Sequence, residues 1–316
     1  MASVSDLIQP SAMLPVSLDP KLASLLSQEG TTDLLVNGHT EVWVQKSNGE
    51  MRSVESPFDS EQELAKIARD SIAQAGRHLD QANPFADVSI DGIRLHAALA
   101  SACTPKTTLS LRVHAKRSFG LAQLCDTGAI SETQLDFLRD VIDARESFII
   151  SGATGSGKTT LLRAILAECP SERIIAIEDV SEINLDSGHF VALQTRQANI
   201  EGRGEIGLDR LVRESLRMRP DRIAIGEVRG PEFLVMLQAL NTGHSGGVTI
   251  HANSILDVPA RMQSIGRAGG WSSSDIAEAA YSAFRWVIHM KNHRMQAAGQ
   301  LVISAGSKLG VVPRDV

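Results

Sequence analysis

With 316 residues the chain exceeds the length at which one hydrophobic core usually stops growing, so two domains are expected. Hydrophobic residues at 43% and charged residues at 22% suit a globular protein and exclude disordered, collagenous and coiled-coil chains. The 37 acidic and 31 basic side chains give a net charge of −6, which supplies no global attraction to nucleic acid.

Cys103, Cys125 and Cys169 are isolated and form no CxxC pair, so reduced thiols are expected rather than a zinc ribbon or a disulfide framework. No apolar run approaches the ~20 residues that cross a bilayer. Met1 to Pro20 lack the charged-then-apolar pattern of a signal peptide. The chain is therefore expected in the cytoplasm.

In chain order, residues 1–18 are Ser/Pro-rich and predicted to be disordered. Asp33–Gly38 and Glu41–Gln45 read as two strands, with Asn37-Gly38 supplying the positive φ values of a tight hairpin. Ser60 and Glu63 form a capping box before Leu64, Ile67, Ala68, Ile72 and Ala75, which recur at helical spacing until Gly76. Val88–Ile90, Ile93–Ala98 and Thr108–Val113 alternate as short strands. Residues 19–116 thus read as a small α+β domain, followed by a linker over 117–129.

A second capping box, Ser131 with Gln134, opens a helix through Leu135, Leu138, Val141 and Ile142. Beyond it, short apolar runs (148–150, 174–177, 223–225, 248–250, 287–288) alternate with helical patterns such as Leu208, Leu211, Val212 and Leu216. Strands alternating with helices predict a mostly parallel sheet covered on both faces, spanning 130–316.

Gly152, Ala153, Thr154, Gly155, Ser156, Gly157, Lys158 and Thr159 satisfy GxxxxGK[ST] between an apolar strand and a helix beginning Leu161, Leu162. Glycines let consecutive backbone N–H groups curl round a phosphate at the positive end of that helix. Lys158 would reach the β and γ oxygens, and the Thr159 hydroxyl would ligate Mg²⁺. A guanine-reading [NT]KxD is absent from the sequence, so ATP is the expected nucleotide.

Two acidic segments follow apolar strands: Glu178, Asp179 and Glu182, then Asp221 to Glu227. Carboxylates at the C-terminal ends of strands in an open α/β sheet sit where ligands bind. Glu227 is placed to orient or deprotonate water. Many P-loop enzymes carry an Asp before that Glu to hold Mg²⁺; here the position is Gly226, which leaves Thr159, water, and Glu178 or Asp179 through water as metal support. His244 and His251 bracket a Gly-rich run and strand; with no third ligand at zinc spacing, they read better as γ-phosphate sensors.

With these residues in hand, the chain resembles the secretion ATPase superfamily of type II, type IV pilus and type IV secretion motors. Gly152 to Thr160 looks like its Walker A, Glu178-Asp179 with Glu182 like its Asp box, Gly226 to Gly230 like its atypical Walker B, and Thr242 to Asn253 like its His box. The run Leu216-Arg-Met-Arg-Pro-Asp221 is similar to the branch holding the Flp/Tad pilus (CpaF-like) and VirB11-like conjugation ATPases. Asn37-Gly38, Gly76-Arg77, Asp91 to Ala97 and Leu111-Arg112 match in the N-terminal half.

The resemblance implies an α/β fold with a RecA-like P-loop NTPase domain behind the α+β domain, and a Mg²⁺-dependent ATPase acting as a homohexameric ring. It implies that Arg94 and Arg112 press on the nucleotide site, a role suited to an always-charged guanidinium. It implies an inner-membrane platform partner, a location at the inner face of the membrane, and a motor for Flp/Tad-type pilus assembly or secretion. The alternatives are a VirB11-like conjugative ATPase and, in a different class, a nucleic-acid translocase. The net charge and only 12 aromatics, few platforms for base stacking, argue against stable nucleic-acid binding. A non-hydrolysing regulatory subunit is a further reading, opposed by the presence of Lys158, Thr159 and Glu227 together.

Overall fold

The computed structural model describes residues 18–90, 92–101, 103–113, 119–186, 189–198, 203–304 and 306–316. The predicted disordered N-terminus lies outside these except for Leu18, as do Asp91 and the start of the expected linker. The chain forms two compact units, 1–117 with 196–205, and 118–195 with 206–316. Residues 196–205 thus cluster with the N-terminal unit, whereas the sequence assigned all of 130–316 to the ATPase domain.

The N-terminal unit is built on helix α1 (Pro20–Leu26), strands β1 (Thr31–Asn37), β2 (Val42–Lys46) and β3 (Met51–Val54), helix α2 (Glu61–Gln74), and strands β4 (Phe85–Ile90), β5 (Ile93–Ala98) and β6 (Thr108–Val113). The strands form one antiparallel sheet in the order β3-β2-β1-β6-β5-β4. Alternation works as the pleat requires. Leu34, Val36, Val42, Val44, Leu95, Ala97, Leu109 and Leu111 are buried in one core with Leu64, Ala68 and Ile72 of α2.

The expected hairpin forms, but one of its two expected positive φ values is corrected: Asn37 stays in β1, its N–H bonded to Glu41 O at 2.8 Å, and Gly38 (φ 78°) alone takes the left-handed conformation in that turn. The first capping box is also displaced. Ser60 Oγ accepts from Glu63 N–H, but Glu63 reaches back to the N–H of Asp59 at 2.7 Å and is held by Lys21 at 2.5 Å.

The second unit opens with α3 (Leu121–Asp126), inside the span expected to be a linker. Leu121 and Leu124 are buried, and Gln123 Oε1 caps the N–H of Gly120 at 3.1 Å, so this stretch is an anchored helix. Next come α4 (Glu132–Asp143), β7 (Phe148–Gly152), α5 (Lys158–Ala167), β8 (Ile174–Glu178), β9 (Phe190–Gln194), α6 (Leu208–Ser215), β10 (Arg222–Ile225), α7 (Glu232–Leu240), β11 (Ser245–Ile250), α8 (Val258–Ala268), α9 (Ser273–Ala283), β12 (Trp286–Lys291), β13 (Arg294–Ser304) and β14 (Lys308–Arg314).

The eight strands run in the order β14-β13-β12-β7-β11-β10-β8-β9. β12 through β9 are parallel, and β13 and β14 extend the sheet as an antiparallel hairpin. Every residue of β7, β8, β10 and β11 is buried, as expected of parallel strands covered on both faces. Strands β9, β13 and β14 have no counterpart in the sequence reading. Parallel register aligns the C-terminal ends: Ile250 pairs with Ser151, and Ile225 with Ile177. Gly152, Glu178, Glu227 and His251 therefore emerge on one edge of the sheet.

Candidate nucleotide site

The chain leaves β7 at Gly152 (φ 152°), turns through Gly155 (φ 71°) and Gly157 (φ 96°), and enters α5 at Lys158. A Cβ at Gly152 would stand 2.3 Å from Met290 O and 2.5 Å from Ser156 Oγ, so only glycine lets the loop close against β12. The Ser156 hydroxyl is buried and has no hydrogen-bond partner. Lys158 is buried too, and its ammonium donates to Gly152 O at 3.1 Å and Ala153 O at 2.8 Å. Burial pulls Lys158 below its ordinary pKa, opposed by the charges of Glu227 and Glu182. Thr154 and Thr160 are exposed and Thr159 is half-buried on the first turn of α5. An orphaned hydroxyl, glycines at 152, 155 and 157 and a held ammonium on one loop fit a phosphate chain.

Glu178 ends β8 and is buried, which pushes its carboxyl up to about 7 although the N–H groups of Glu182 and Ile183 donate to Oε2 at 3.1 and 2.9 Å. A Cβ at residue 226 would lie 2.8 Å from both Cγ and Oε1 of Glu178. The glycine before Glu227 thus has a steric cause: the Glu178 side chain occupies the space an aspartate there would need. The neighbouring Asp179 carboxylate is paired with Arg229.

Glu227 follows β10 and His251 follows β11, and His251 Nε2 lies 3.3 Å from Glu227 Oε1, each about one-third exposed. The pair is locked in place by its neighbours: Val228 N–H donates to Thr249 O at 2.9 Å, and Thr249 Oγ1 donates to Gly226 O.

His244 is a correction. It precedes β11, on the opposite edge of the sheet from His251, and six residues of strand separate them by about 20 Å. Its Nδ1 lies 3.2 Å from Ala239 O and 3.3 Å from Thr242 Oγ1, so it closes the end of α7 instead of facing the phosphate loop.

Arg94 and Arg112 lie in the N-terminal unit, directly opposite each other in the β5–β6 register. Arg94 bonds Asp87 at 2.6 Å and Arg112 bonds Asp33 at 2.7 Å, both half-exposed on the polar face of that sheet. The sequence reading missed three features of the second unit: Arg229 as the partner of Asp179, the buried His289 bonded to Ser151 Oγ at 3.0 Å, and the β12–β13 turn, whose His293 N–H donates to Ser156 O at 3.1 Å. Asn292, a residue that tolerates a left-handed backbone, shortly after the apolar run at Val287-Ile288 was the available signal for that turn.

Among the described residues, no group of three or more His, Cys, Asp or Glu could hold a metal ion, and no helix is long and apolar enough to cross a membrane.

The family model for type II/IV secretion system proteins matches residues 19–289. A Mycobacterium tuberculosis protein provisionally named for conjugal transfer is 43% identical over 282 residues, covering 86% of this chain and 80% of that protein. The type IV secretion system protein PtlH of Bordetella pertussis is 34% identical over 254 residues, 72% of this chain and 75% of its own. Among solved structures, the pilus retraction motor PilT with bound ADP matches with a TM-score of 0.62 at 18% identity, over 95% of this chain and 82% of that one. The Legionella pneumophila ATPase DotB gives 0.61 at 19%, over 96% and 81%. Likeness at that identity bears on the fold, an antiparallel-sheet unit and an α/β unit that follows it in the chain. The chain belongs to the type II/IV secretion system protein family.

Proposed function

We propose that the chain is a Mg²⁺-dependent ATPase that drives a type IV secretion or conjugal-transfer machine. The observation that carries this reading is the Glu227–His251 pair standing on the same sheet edge as the Lys158 loop. Lys158 exchanges the carbonyls of Gly152 and Ala153 for phosphate oxygens, and the amides from Gly155 to Thr160 hold the chain of phosphates. Glu227 accepts a proton from the attacking water, with His251 fixing the orientation of its carboxylate. Thr159 would be the protein ligand of Mg²⁺, with Glu178 or Asp179 supporting it through water, and the ion would supply neutralisation of phosphate charge. Arg94 and Arg112 release their aspartates and stabilise charge at the phosphates when the N-terminal unit closes in a homohexamer.

The names of the relatives support the conjugal and type IV secretion assignment; an inner-membrane platform protein as partner and the cytoplasmic face of the membrane as location follow from that reading. A second reading is a Flp/Tad-type pilus motor, since the Leu216 to Asp221 run is similar to the branch that holds both these motors and the conjugation ATPases. Deleting the gene and restoring it as wild type or Glu227→Gln tests both. Loss of DNA or protein transfer that only wild type repairs supports the first, and loss of a surface pilus alone supports the second. Turnover stimulated by DNA would favour a nucleic-acid translocase instead.

A further inference from the structure

The turn between β12 and β13 lies outside the residues matched by the family model, yet it is seated on the phosphate loop. Lys291 pairs with Arg294, so Asn292 and His293 alone make the turn, and both are left-handed (φ 51° and 59°). That is the backbone of a type I′ hairpin, in which glycine usually fills the second place. Here a histidine fills it. Its N–H donates to Ser156 O, and the position a Cβ of Gly157 would take lies 3.4 Å from His293 Cα and 3.5 Å from its Nδ1. The side chain is exposed, so the imidazole does not serve the core.

The sheet order gives this turn a direction. Glu227 and His251 follow β10 and β11 on one side of β7, whereas β12 adjoins β7 on the other. A triphosphate whose γ-phosphate points at Glu227 carries its sugar and base away from that side, past Gly157, towards the turn. We propose that the Asn292–His293 turn is the nucleoside-side wall of the site: its backbone closes the phosphate loop at Ser156, and the His293 imidazole packs on the sugar and base. Resting on the nucleotide site proposed for the P-loop, this assigns base and sugar recognition to a segment that the phosphate motif does not include.

Calorimetric titration of the full chain with ADP and, separately, with inorganic pyrophosphate, both with Mg²⁺, tests it. His293→Gly suits the left-handed backbone and keeps the N–H to Ser156, so its melting temperature should match or exceed wild type. It should bind ADP about tenfold more weakly, the scale of a lost base–aromatic contact, while pyrophosphate affinity stays within about twofold. His293→Tyr should restore much of the ADP affinity. Equal weakening for both probes, or none for either, overturns the assignment while leaving the P-loop site standing. A wild-type chain that binds neither probe removes the nucleotide site itself and this wall with it.

Discussion

His251 Nε2 lies 3.3 Å from Glu227 Oε1, joining the residue after β11 to the residue after β10. If the imidazole acts by holding the carboxylate, the two are one functional unit. Glu227→Gln should retain ATP and lower turnover at least about 100-fold, since the amide cannot accept the proton. His251→Ala should lower kcat less, and the double variant should be no slower than Glu227→Gln alone. Phosphate-release kinetics on the four proteins read this; additive losses would separate the two residues.

Gly152→Ala places a methyl 2.3 Å from Met290 O, a backbone atom of the neighbouring strand that has no rotamer to escape into. A stability loss of about 1–3 kcal/mol is expected from overpacking, with nucleotide binding lost as the loop is pushed from β12. Denaturant melts and ADP titration on the same preparation measure both effects.

Much of this site was legible, and the failures have physical causes. The motif at residues 152–159 and the apolar runs before Glu178 and Glu227 carried the sheet, because buried parallel strands read as continuous apolar stretches. β13 escaped because its middle, Ala297-Ala298-Gly299, has neither alternation nor β-branched residues. β9 is partly exposed along its whole length, so burial never shaped its sequence. His244 was misread because spacing along a motif does not reveal that the two histidines stand at opposite ends of one strand. Gly226 was read as a missing metal ligand; only the packing of Glu178 against it explains the glycine.

Glu178 makes stability depend on pH in a definite direction. Its carboxyl is raised from 4.5 to about 7 by burial, so between those values the folded chain holds a proton the unfolded chain has released. Stability from this group is therefore lost as pH rises from 4.5 to 7, and the penalty is complete above 7. The advantage of Glu178→Gln over wild type should grow by about 2–3 kcal/mol between pH 5 and pH 8 in denaturant melts of the protein alone. His289, held below its ordinary range mainly by burial, acts oppositely, its contribution being lost below about pH 6.5, and it cancels in that comparison. A pH-independent difference would place Glu178 in a more solvated setting than the one described.

Arg94→Ala and Arg112→Ala each break a half-exposed ion pair, worth at most about 1 kcal/mol, so both variants should remain folded. If these arginines stabilise charge on the phosphates in an assembled ring, kcat should fall at least tenfold while ADP affinity changes little. Turnover per chain should also rise with protein concentration in the wild type. Unchanged kcat in both variants would confine the two arginines to their own sheet.

The measurement that bears most directly on the central claim is steady-state phosphate release by the purified full chain with ATP and Mg²⁺, beside Lys158→Ala. Turnover by the wild type and its loss in the variant, which lacks the ammonium now held at Gly152 and Ala153, is the expected result. Equal phosphate release by the two proteins, or none from a wild type that binds ATP, would contradict a hydrolytic centre at this loop.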